Sequence, residues 1–96
     1  MITYESVPGY IMREIAGDYV LIKAFNNDVG NTNVYVFNDS GAFLWNSLSE
    51  KKTKDQLVML LKNKYGINQS QAEADVLKFV DKCLSEGFVI DNREGE

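Results

Sequence analysis

Apolar residues are spaced in two ways along this chain. Up to about residue 38 they alternate with polar ones or gather in short runs; beyond it they recur every three or four positions. "YIMREIAGDYVLIKAF" reads as a β-hairpin: Ile11, Arg13 and Ile15 alternate with Tyr10, Met12 and Glu14, and a more apolar arm runs from Tyr19 to Phe25. Gly17-Asp18 between the arms suits a tight type II′ turn. "NNDVGNTN" (26 to 33) is a polar, turn-rich loop. A third strand follows over Asn33 to Asn38.

Three helices are predicted next. The first opens at "NDSGAFLW", with Asp39 or Ser40 as N-cap. The second opens on the capping-box pair Thr53 and Gln56, repeats Leu57, Leu60 and Leu61, and stops at Gly66. The third opens on a second such pair, Ser70 and Glu73, runs to Glu86 and ends at Gly87, with "FVI" (88 to 90) packing back on the body. The expected fold is α+β: a three-stranded antiparallel sheet followed by three helices. Residues 1–9 and the acidic tail 91–96 read as mobile flanks of one domain over 10–90.

Two elements carry more apolar surface than one contact explains. The run Val34, Tyr35, Val36, Phe37 would present apolar side chains on both faces of a strand. On the third helix Ala72, Val76, Phe79 and Cys83 form a core stripe, and Leu77, Val80 and Leu84 widen it to one side. Neighbours within the domain would cover both excesses on the plainest reading. On the sharper reading, the third strand is a sheet edge beside the third helix, and an extended peptide docks there by strand addition.

Composition narrows the chemistry. The 96 residues hold no histidine and one cysteine, Cys83, so imidazole catalysis and most zinc or haem sites are excluded and no internal disulfide forms. No catalytic residue, metal or cofactor is expected. The glycines are spaced as turns and caps, and the helix carboxylates read as a solvated face. Trp45 and Cys83 read as core residues. Neither a signal peptide nor a membrane-spanning run is visible, so a cytoplasmic location is expected.

The segments "FNDSGAFLWNSL", "KKTKDQLVMLL" and "DVLKFVDKCLSEGFV" give the chain a resemblance to the PqqD family, the small RiPP recognition elements, over roughly residues 7 to 90. Phe37 stands where that family often has leucine, and Ser49-Glu50 where a glycine often follows an acid. The resemblance implies a winged helix-turn-helix-like domain without catalytic activity. It would bind the leader of a ribosomally made precursor peptide as a strand added to the third β-strand, and deliver it to a radical-SAM or other peptide-modifying enzyme. Carried over by position, the contacts are Asn33, Val34, Tyr35, Val36, Phe37 and Asn38 on the strand. On the helix they are Leu77, Val80 and Leu84, with Glu73 and Asp81 as polar edges.

Two other classes compete. A winged-helix DNA-binding regulator needs a basic recognition helix; here Lys78 and Lys82 face Glu73, Asp75, Asp81 and Glu86, and the whole chain carries −4. No nucleic-acid partner is therefore expected. An assembly subunit could use the same edge to form a homodimer.

Overall fold

The computed structural model describes residues 1–23 and 34–93. Five strands and three helices follow in the order β1 (Ile2–Ser6), β2 (Tyr10–Ile15), β3 (Asp18–Lys23), β4 (Val34–Phe37), α1 (Asp39–Ser47), α2 (Lys54–Tyr65), α3 (Gln69–Glu86) and β5 (Val89–Arg93). Strands β2, β3 and β4 form an antiparallel sheet in that order, matching the three strands expected. The loop predicted over 26 to 33, with Asn33, lies outside the described residues, as do 94–96.

The register of β4 on β3 pairs Phe37 with Tyr19, Val36 with Val20 and Tyr35 with Leu21. Side chains alternate across a strand, so Tyr35 and Phe37 share the face of Leu21. That face meets the helices: Leu21 and Phe37 are buried, and Tyr35 packs against the same core. Val36 points to the other face with Val20, and is 57% exposed. That outer face also carries Ile11 and Ile15, both exposed, and Val20, which is buried.

Residues 2–6 and 89–93 form strands. Ile2–Ser6 pairs antiparallel with Val89–Arg93 in a second, two-stranded sheet, where a mobile flank was expected. Tyr4 exchanges backbone hydrogen bonds with Lys52, and Val7 donates to the Phe88 carbonyl. Tyr4 and Thr3 are buried there, so β1 closes one side of the core. Phe88 leads into β5 and is fully buried, with Tyr10, Tyr35 and Phe37 edge-on around it.

Helix boundaries follow their caps. At α2 the predicted box is present: the Gln56 amide donates to Thr53 Oγ1, and the Thr53 amide to Gln56 Oε1. Gly66 and Gly87 end α2 and α3 in left-handed conformations. Two starts differ from expectation. Asn38 rather than Asp39 or Ser40 caps α1, and Asn68 rather than Ser70 caps α3. In both cases an asparagine side chain accepts from the amide three residues on, which relieves an orphan donor of the first turn. The hairpin turn also differs: its central residues are Ala16 and Gly17, both at positive φ, the mark of a type I′ turn.

Candidate peptide-binding cleft

Strand β4 ends the three-stranded sheet, and among the described residues no strand pairs with its other side. In a strand, alternate backbone N–H and C=O groups point to each edge, so on its side away from β3 the strand presents donors and acceptors that no described strand pairs with. Beside that edge lies a cleft of about 370 Å³. Val36, Phe37 and Asn38 form one wall, and Asp75, Lys78, Phe79 and Lys82 of α3 form the other. Ser40, Gly41 and Leu44 of α1 close its base.

The floor is apolar. Phe37, Leu44 and Phe79 are buried side chains of the main core, and the Phe37 and Phe79 rings lie 6.4 Å apart. Gly41 keeps this floor close to the helix start: a Cβ there would come within 3.0 Å of both the Phe37 ring and Asn38 Oδ1. The cap and the glycine thus act together, because Asn38 Oδ1 accepts from the Gly41 amide at 2.8 Å. The rim is charged. Lys82 holds its ammonium 5.4 Å from the centre of the Phe37 ring, where the electron-rich face attracts it. The lysine stems can lie along the apolar wall while their charges stay in water. Asp75 accepts a hydrogen bond from the Gln71 side chain at 2.9 Å.

A second depression of about 530 Å³ continues the first past the end of β4, sharing Phe37, Asn38, Ser40 and Asp75 with it. Its further lining includes Asp18, Tyr19, Asp39 and Tyr65. This end is electronegative: Glu14 and then Asp39 hold the Tyr19 phenol above its usual range. Burial first, and then Asp39, does the same for Tyr65.

Of the strand residues predicted for the site, Val36, Phe37 and Asn38 line the cleft. Val34 lies on the edge strand opposite Ile22. Tyr35 turns beneath the sheet, 4.4 Å from Phe88 between ring centres. None of the five helix residues lines the cleft. Val80 is buried in the core and Leu84 packs against that core, whereas Glu73, Leu77 and Asp81 are exposed elsewhere on α3. The cleft instead meets the opposite flank, about a quarter turn to the other side of the core stripe. Hydrophobic excess does not mark this flank, which is apolar only through Phe79 and is otherwise charged.

Cys83, on the core stripe, is fully buried, and burial pushes its thiol up to about 12. Among the described residues no cluster of histidine, cysteine or carboxylate side chains is arranged to hold a metal ion. No described helix is long and apolar enough to cross a membrane.

Comparison with known proteins places this geometry. No curated protein matches the chain. A solved structure described as TbiB1 in complex with the TbiA(beta) leader peptide shares the fold, with a TM-score of 0.67, 16% identity and 96% of each chain covered. A family model described as coenzyme PQQ synthesis protein D (PqqD) matches residues 27–89, which span β4, all three helices and the start of β5. The chain belongs to the PqqD family.

Proposed function

We propose that this protein binds the leader segment of a ribosomally made precursor peptide and delivers it to a separate peptide-modifying enzyme, a radical-SAM enzyme being the partner that the family resemblance suggests. The leader pairs as an added strand with the free edge of β4 and seats side chains in the cleft between β4 and α3. The observation that carries this reading is the pairing of an open strand edge with an apolar-floored cleft along it. Membership of the PqqD family and a shared fold with a leader-peptide complex support it.

The chemistry required is recognition alone. Backbone hydrogen bonds from the edge contribute roughly 0.5–1.5 kcal/mol each, and each leader side chain buried on the floor adds about 1.5–3 kcal/mol. Ordering a disordered leader costs about 2–5 kcal/mol or more, which leaves an affinity suited to a carrier that must release its cargo. The test is calorimetric titration with synthetic leader segments of ribosomally made precursor peptides. Saturable one-to-one binding that Val36→Pro or Lys82→Glu weakens is expected. Absence of binding, or binding indifferent to both changes, contradicts the proposal.

A further inference from the structure

We infer that the bound leader is electrically polarised: it lays an acidic residue over Lys78 and Lys82 and a basic residue, about four positions nearer its amino terminus, toward Asp75 and Asp39. This rests on the strand-addition reading and adds to it a direction and a substrate class.

Charge is distributed unevenly along the groove beside β4. The depression beside Val36 is walled by Lys78 and Lys82, and among the described residues neither lysine has an ion-pair partner. The depression that continues it past Asn38 gathers Asp18, Asp39 and Asp75. Following β4 from Val36 to Asn38 therefore leads from the ammonium groups to the carboxylates.

Every pairing in this sheet is antiparallel, and a leader that continues the pattern enters at the Asn38 end and leaves at the Val36 end. Its earlier residues then meet the carboxylates and its later ones the lysines. From Asp75 to Lys82 the helix rises about 10 Å. The second depression reaches further still, and four strand residues span about 13 Å. A neutral or uniformly charged segment would satisfy one end of the groove and be opposed or ignored at the other.

Two capped, fluorescein-labelled nonapeptides of serine, threonine and valine test this. One carries arginine at its third position and glutamate at its seventh; the other exchanges them. Anisotropy titrations give affinity, and amide shifts of Val36 and Phe37 at millimolar peptide report the site. The first peptide is expected to bind about tenfold more tightly, the ratio expected of two partly exposed ion pairs set against two like-charge contacts. The double variant Lys78→Glu, Lys82→Glu should abolish that preference. Equal affinity for both peptides, with the β4 amides shifting, overturns the polarity and leaves strand addition standing. Neither peptide moving those amides contradicts strand addition itself, and the polarity with it.

Discussion

Lys82 reaches from α3 across the mouth of the cleft until its ammonium stands 5.4 Å from the centre of the Phe37 ring on β4. The two residues join the helix wall to the strand wall, but they hold the fold to very different degrees. Phe37 is buried, edge-on to Phe88 at 6.0 Å and tilted against Phe79, whereas Lys82 is exposed. Replacing Phe37 with alanine should cost about 3–5 kcal/mol, as for a large buried aromatic. Lys82→Ala should cost no more than about 0.5–1 kcal/mol, the scale of an exposed cation–π contact. Urea denaturation of the two variants checks the contrast, and near-equal losses would show that the lysine is structural.

The β2–β3 turn offers a gain in stability. Ala16 sits at φ 52°, a left-handed conformation that costs an alanine roughly 1–2 kcal/mol. Asparagine tolerates it, and Asn-Gly is a favoured central pair of a type I′ turn. Ala16→Asn should therefore raise stability by about 0.5–1 kcal/mol. Thermal unfolding measures it, and a fall in Tm would contradict the turn geometry.

Cys83 gives the fold a defined alkaline weakness. Its thiol ionises at about 12 in the folded chain and near 9.0 once exposed. Because the folded value is the higher, this contribution is fully present below pH 9.0 and is lost as pH rises toward about 12. The expected slope approaches about 1.4 kcal/mol per pH unit in that window. Cys83→Ala removes the ionising group, so the pH dependence of its urea midpoint should be shallower than that of the parent between pH 9 and 10.5. Parallel curves would mean that the thiol is accessible in the folded state.

What the sequence made legible was local. The three strands of the main sheet, the Thr53–Gln56 box and the stops at Gly66 and Gly87 all depend on residues a few positions apart, and the structure has each of them. The edge position of β4 was also readable, because a run apolar on both faces needs an unusual neighbour. Strand β1 was not: its partner is β5, and Glu5 meets Asn92 across 87 positions of sequence. No local periodicity encodes such a pairing. The α3 wall of the cleft was not legible for a related reason. Helical period gives the width of an apolar arc but not which flank the sheet edge will face, and that depends on how α3 crosses β4. Leu77, Val80 and Leu84 widen the apolar arc on one side, while the cleft is lined by Asp75, Lys78, Phe79 and Lys82 on the other.

The most direct test of the account is hydrogen exchange at the two edges of the main sheet, with and without a synthetic precursor leader that binds the chain. Those amides of β4 that point away from β3 should exchange at least about tenfold more slowly once the peptide is saturating, because each gains a backbone acceptor. The amides of β2, at the opposite edge, should be unchanged. Protection at β2, or none at residues 35–38 while the peptide is demonstrably bound, would contradict it.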